Sequence, residues 1–132
     1  MTSPPVRVTC AVIIREGKVF AARRGRHSSQ PLQWEFPGGK LEPGESEEAC
    51  LHRELAEELN LKVSIVSRLP EFTHSYPEST IVLIPFLCRL RQCNLRAREH
   101  HETAWFTAPE LFSLDWSRAD IQVMEFVVKE LL

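Results

Sequence analysis

The chain has 132 residues, 43% hydrophobic and 26% charged, which at the usual scale of roughly 150 residues per domain predicts one domain over residues 1–132 and excludes a second. Sixteen basic and 18 acidic side chains give a net charge of −2, a balance that excludes a disordered polyelectrolyte and a generally polycationic binder of nucleic acid or membrane. No apolar run reaches the roughly 18 residues that cross a bilayer. The opening Met-Thr-Ser-Pro-Pro-Val-Arg lacks the apolar stretch of a signal peptide, so the expectation is a cytoplasmic protein. Cys10, Cys50, Cys88 and Cys93 form no Cys-x-x-Cys pair and read as reduced packing residues.

Residues 6–14 and 19–22 are β-rich runs on either side of Glu16-Gly17-Lys18 and predict a hairpin with a short glycine turn. Residues 23–44 read as loop, with few periodic apolar positions and two proline-glycine turns, Pro37-Gly38-Gly39 and Pro43-Gly44. A helix is predicted from about Ser46 to Leu59, with acids in its first turn to complement the dipole and Leu51, Leu55 and Leu59 on one stripe. Asn60 stops it, because asparagine tolerates the left-handed conformation that follows a helix. Residues 62–69 and 80–90 read as strands. The second is almost wholly apolar and therefore central, with Pro85 implying a bulge or an unpaired edge. Residues 103–106 predict a short strand, and a last helix from about Ser117 presents Ile121, Met124, Val128 and Leu131 on one stripe. This order predicts an α/β fold with a mixed sheet and helices on its faces.

Charge is uneven along the chain. Residues 1–34 carry six basic side chains against Glu16 alone, whereas residues 35–60 carry eight glutamates against Lys40 and Arg53. A site for a polyanion carried by divalent cations needs such a juxtaposition, although a solvated acidic helix beside a basic strand gives the same counts. At about 100° per residue, Glu54, Glu57 and Glu58 converge in one wedge beside the leucine stripe. Like charges at these spacings repel, so the cluster makes physical sense chiefly with a cation among them. All-oxygen ligation suits Mg²⁺ or Mn²⁺, and the absence of histidine and cysteine from the wedge speaks against zinc. The preceding glycines let backbone approach a ligand closely, and Glu45 is placed to reach the same cation. Arg53, on another face of the helix, is placed to hold a carboxylate in a bidentate pair.

The run from Gly39 to Leu61 resembles the Nudix box: a glycine, five residues, a glutamate, seven residues, then Arg-Glu-apolar-x-Glu-Glu-x-Gly-apolar. Every specified position matches except Asn60, which stands where the family has glycine and can adopt the same backbone conformation. The flanking Trp34-Glu35-Phe36-Pro37-Gly38-Gly39-Lys40, the pair Arg23-Arg24, Glu99-His100 ahead of Trp105, and Ala119-Asp120 extend the likeness over nearly the whole chain. They resemble the MutT-like branch, nearest to its small bacterial CTP and 8-oxo-dGTP pyrophosphohydrolases.

The resemblance implies an α/β/α sandwich with a mixed sheet. It also implies an Mg²⁺-dependent hydrolase, with Mn²⁺ as an alternative ion, that splits a nucleoside triphosphate such as CTP, dCTP or 8-oxo-dGTP into monophosphate and pyrophosphate in nucleotide-pool sanitation. Carried onto this chain, it makes Glu54, Glu57 and Glu58 metal ligands, joined by a main-chain carbonyl of Gly38 or Gly39. Glu54 or a loop acid such as Glu45 becomes the candidate base, and Arg53 supports the set. Arg24 and Lys40 would bind the phosphates. Glu99 is the expected loop carboxylate on the metals, with Glu102 its competitor. Asp120 stands where 8-oxo-dGTP enzymes carry an asparagine that reads the base. An ionised carboxylate there suits an exocyclic amine such as cytosine N4, or a guanine edge, while capping of the last helix is the other reading. Phe36, Tyr76 and Phe86 either stack on the base or belong to the core. The expected partner is a small nucleotide, with no nucleic-acid polymer and no membrane, and the expected state is a monomer or weak homodimer. The rival readings are an ADP-ribose or dinucleotide polyphosphate hydrolase, and a non-catalytic Nudix domain that senses a nucleotide.

Overall fold

The computed structural model describes residues 4–95 and 100–132. In chain order its elements are β1 (Val6–Arg15), β2 (Lys18–Arg24), β3 (Trp34–Glu35), β4 (Gly38–Lys40), α1 (Glu47–Leu59), β5 (Leu61–Arg68), β6 (Phe72–Ser75), β7 (Thr80–Cys93), β8 (His100–Phe106), α2 (Ala108–Phe112) and α3 (Arg118–Leu131).

β1 lies at the centre of the mixed sheet. It runs parallel to β7, from Val6 opposite Ile81 to Ile13 opposite Cys88, and antiparallel to β4 and β2. Side chains alternate between the faces of a strand, and here both faces are covered. Cys10 and Val12 pack with Val123, Met124 and Val127 of α3, whereas Ala11 and Ile13 pack with Leu51, Leu55 and Leu59 of α1. The result is the expected α/β/α arrangement. The hairpin also forms as predicted: Arg15 pairs with Lys18, and the two turn residues Glu16 and Gly17 have φ of 53° and 75°, the left-handed pair that matches strand twist. Ser46 caps α1 by accepting the Ala49 N–H at 3.1 Å, and Asn60 ends it at φ 55°, ψ 42°.

Several expectations need correction. Residues 23–44 are not loop throughout, since the short strands β3 and β4 form there, and β6 and α2 were not foreseen. Pro85 leaves the parallel pairing with β1 intact and, as expected, takes an unpaired position on the other side of β7, between Phe86 opposite Arg68 and Leu83 opposite Phe72. It stays opposite Cys10 and sits where the antiparallel partner of β7 changes from β5 to β6. β8 begins at His100 rather than Thr103. The buried stripe of α3 is Ala119, Val123 and Val127 with Met124, while Ile121 is exposed. Phe86 is core against α1 and does not face a ligand site. Cys10, Cys50 and Cys88 are buried, and burial raises their thiol pKa values, that of Cys88 to about 12, so they pack as neutral thiols. Among the described residues no helix is long and apolar enough to cross a membrane.

Candidate active site

The site is built where α1 crosses the glycine strand. Pro37 O accepts the Ala11 N–H at 2.8 Å and Arg7 O accepts the Leu41 N–H at 3.0 Å. The alternation of an antiparallel ladder therefore turns residues 37, 39 and 41 toward β1, and the backbone groups of Gly38 and Lys40 toward the open edge that faces α1. Both glycines are required by close approach. A Cβ at Gly38 would lie 1.9 Å from the Thr9 carbonyl oxygen, and one at Gly39 would lie 2.2 Å from Cδ and 2.4 Å from Oε2 of Glu54. The Glu54 carboxylate thus occupies the space where a side chain at position 39 would stand.

Arg53 fixes this geometry. Its Nε and Nη2 donate to the two carboxylate oxygens of Glu45 at 2.6 and 2.9 Å, its Nη1 donates to Glu54 Oε1 at 2.8 Å, and Nη2 also reaches Lys40 O at 3.2 Å. One guanidinium therefore ties the glycine strand, the loop before α1 and α1 together, which is the bidentate role that its planar fork serves. The Arg53 hydrogen bond is the main reason that the Glu45 carboxyl titrates at about 2.

A cavity of about 520 Å³ opens beside this cluster, and its lining includes Arg24, Phe36, Gly38, Gly39, Lys40, Glu54, Glu58 and Asp120. The structure thus brings together Arg24, Lys40, Phe36 and Asp120 with two of the three helix glutamates. The third, Glu57, has a 62% exposed side chain, lies outside the lining and comes only to 3.5 Å from Arg53. The expected convergence of three carboxylates is therefore incomplete. Among the described residues no three acidic, histidine or cysteine side chains form a group able to hold a metal. Mutual repulsion at i, i+3 and i+4 accounts for the splay of the side chains. Glu45 is directed to Arg53 rather than into the cavity. Glu102 pairs with Arg23 at 2.9 Å on the solvent side, and Glu99 lies outside the described residues.

The far end of the cavity is formed by β3 and the start of α3. The Phe36 ring stacks on Trp116 at 4.9 Å, and the Phe36 N–H donates to Asp120 Oδ1 at 3.0 Å. That bond ties Asp120 across the cavity to the residue before Pro37, whereas capping of α3 falls to other groups: Tyr76 Oη accepts the Ala119 N–H at 3.2 Å. Arg24 pairs with Glu35 and donates through Nε to Ser29 O at 2.7 Å, folding the segment 25–33 over the cavity. Sequence reasoning missed Gln30, Ser29 and Ser117 in the lining. Only Ser117, directly ahead of a helical pattern, carried a readable signal.

Burial, and then the Glu35 carboxylate, push the Asp120 carboxyl well above its usual range, against the opposing pull of the Phe36 N–H and Arg24. A carboxyl whose folded pKa is raised contributes its full stability below the unfolded value and loses it as pH rises through the folded one. Asp120→Asn is therefore expected to leave Tm unchanged near pH 3.8, the ordinary aspartate value, and to gain on the native chain as pH rises. Thermal melts of both proteins across pH check this. A difference that is constant with pH would show that Asp120 is not held neutral.

The architecture defines a class: an α/β/α sandwich in which a carboxylate-bearing helix, buttressed by an arginine, lies against a glycine strand at one end of a cavity. A family model described as NUDIX domain matches residues 4–126, and the chain belongs to the Nudix family of hydrolases. The CTP pyrophosphohydrolase of Escherichia coli is 32% identical over 120 residues, covering 91% of this chain and 89% of the relative. The 8-oxo-dGTP diphosphatase of Proteus vulgaris is 38% identical over 88 residues, 66% of this chain and 79% of that protein. Among solved structures, the MutT protein of Methanosarcina mazei has a TM-score of 0.87 at 22% identity, covering 98% of this chain and 97% of that one, which shows the shared fold.

Proposed function

We propose that the chain is a divalent-metal-dependent nucleoside triphosphate pyrophosphohydrolase, releasing a nucleoside monophosphate and pyrophosphate from a (d)NTP such as CTP, dCTP or 8-oxo-dGTP. The observation that carries this reading is the polarity of the cavity of about 520 Å³. Carboxylates, a glycine strand and Lys40 lie at one end, and an aromatic and a buried carboxyl group at the other. That volume is ordinary for a site that takes a small molecule, and its two ends match the phosphates and the base of one nucleotide.

The residues fit a hard cation. The donors are all oxygen, the cradle at Gly39 admits the Glu54 carboxylate as no other residue would, and the Gly38 carbonyl lies on the open edge facing α1. Glu54 and Glu58 with Gly38 O would hold it, and Glu57 could join by a rotamer change, since its side chain is exposed. Mg²⁺, or Mn²⁺ with the same oxygen preference, would supply charge neutralisation on the phosphates and a better water nucleophile. Lys40 and Arg24 line the same cavity as point charge and planar fork for phosphate oxygens. Arg53 is a positioning residue that sets the Glu54 carboxylate.

At the base end, the upward push that burial and Glu35 exert on the Asp120 carboxyl favours its protonated form, and this changes the recognition logic. An ionised carboxylate only accepts hydrogen bonds, whereas a carboxylic acid offers an O–H donor beside its acceptor. That pair complements an amine next to a ring nitrogen, as in cytosine, or an N–H next to a carbonyl, as in an oxidised guanine.

The test is incubation with Mg²⁺ and a panel of CTP, dCTP, 5-methyl-dCTP, dGTP, 8-oxo-dGTP, ADP-ribose and diadenosine polyphosphates, with products separated by chromatography. Monophosphate plus pyrophosphate from one triphosphate is the expected result. Silence of the folded protein across the panel with Mg²⁺ and Mn²⁺ would favour a non-catalytic nucleotide binder.

A further inference from the structure

The segment between β2 and β3 is held in an unusual backbone state. Gln30 and Leu32, neither of them glycine, have φ of 53° and 62°. Side chains make this region costly, so it persists only where surrounding bonds impose it. Those bonds come from the two arginines of β2: Arg23 Nε donates to Leu32 O at 2.9 Å and Arg24 Nε to Ser29 O at 2.7 Å. The backbone of Arg24 adds two more, its N–H to Gln33 O at 2.8 Å and its carbonyl from the Leu32 N–H at 3.0 Å. The consequence is a fixed position for Gln30. Its side-chain oxygen accepts the hydroxyl of Ser117, a polar side chain only 4% exposed that stands at the N-cap of α3.

Gln30 lines two cavities at once. Beside the site lies a second, smaller and more open depression of about 340 Å³, lined by Gln30, Pro31, Gln33, Tyr76, Asp115 and Arg118, and Gln30 and Tyr76 are the residues it shares with the first. Both are clamped to the first turn of α3, Gln30 through Ser117 and Tyr76 through the Ala119 N–H, one residue short of Asp120. The wall between the cavities therefore stands beside the carboxyl that the nucleotide reading places at the edge of the base.

We propose that Gln30 is a specificity-determining residue, a partition held by Ser117 that closes the base end of the cavity and excludes nucleotides enlarged at the exocyclic amine. This rests on the nucleotide reading above. Removing the partition joins the two spaces and lets the second cavity receive the added group. A residue that serves only to fold the segment would, on truncation, weaken all substrates alike. A size filter changes their ratio.

The experiment compares native protein, Gln30→Ala and Ser117→Ala on dCTP and dGTP, each beside its N-butyl form (N4-butyl-dCTP and N2-butyl-dGTP), with kcat and KM measured separately. In Gln30→Ala the preference for the unmodified nucleotide, as a ratio of kcat/KM, is expected to fall about tenfold or more, the scale on which pockets discriminate added methylenes. Ser117→Ala, which leaves Gln30 present but unpinned, is expected to move the ratio in the same direction by less. An equal loss on both forms, or an unmoved ratio in both variants, would overturn the partition while the native protein stays active. A native protein that hydrolyses no nucleotide would instead sink the functional reading itself.

Discussion

Gly39→Ala is expected to lower kcat about 100-fold, the scale of loss from a displacement near 1 Å at a catalytic group, while the protein still folds. The new methyl would overlap the Glu54 carboxyl, with Cδ at 2.2 Å and Oε2 at 2.4 Å, and both atoms are the far end of a flexible side chain. The carboxylate yields and the backbone does not. Gly38→Ala makes the opposite case one residue away. Its methyl would meet the Thr9 carbonyl oxygen at 1.9 Å and Cys10 Cα at 2.7 Å, so β4 must part from β1. Overpacking of this kind costs about 1–3 kcal/mol, and the expected readout is a lowered Tm. Melting curves and kcat of the two variants measured side by side decide the point. An active Gly39→Ala enzyme would mean that the Glu54 position against β4 is unimportant to turnover.

The legible parts of the sequence were those in which one local rule acts without competition. α1 announced itself through Ser46, the leucine stripe and Asn60, and all three behave as the pattern requires. The hairpin at Glu16-Gly17 did so through its turn residues. β3 and β4 were hidden because strands of two and three residues, Trp34–Glu35 and Gly38–Lys40, carry no period. They exist because β1 and β2 offer them edges, which is a tertiary cause. In α3 the apolar spacing placed Met124 on the buried face, where it lies, but that face is centred on the smaller Ala119, Val123 and Val127, with Val128 and Leu131 only partly buried and Ile121 left in water. α2 had a signal that went unread: Glu110 Oε1 accepts from both the N–H and the hydroxyl of Thr107, at 2.8 Å each, within a Thr-x-x-Glu capping pattern. The carboxylate set was legible by resemblance and by helical spacing. The rotamers were not, because the splay of Glu57 and the grip of Arg53 on Glu45 depend on distances that no spacing rule contains. Gln30 was invisible for a related reason: its role depends on Ser117, which is 87 positions away in the chain.

On the proposed function, Arg53→Lys is expected to reduce kcat about 10- to 100-fold, the usual cost of removing a group that orients the ligands of a metal. An ammonium is a single point charge and cannot reproduce the fork that holds Glu45, Glu54 and Lys40 O together. The loss should not follow the ionisation of Glu45. That carboxyl titrates at about 2, so the contribution of its pair to stability is present above the ordinary glutamate value and disappears only as pH falls through about 2. An acid limb of activity between pH 4 and pH 6 therefore belongs to another group. The stronger test joins the two variants. Gly39→Ala and Arg53→Lys act on the same carboxylate from opposite sides, one displacing Oε2 and the other releasing Oε1. Once Glu54 has been moved, losing its second constraint has little left to remove, and residues that act as a unit show strongly non-additive losses. The double variant is thus expected to be about as slow as the slower single variant. Multiplying losses would mean that Arg53 acts through Glu45 or Lys40, and the placing of Glu54 would then rest on the glycine strand alone.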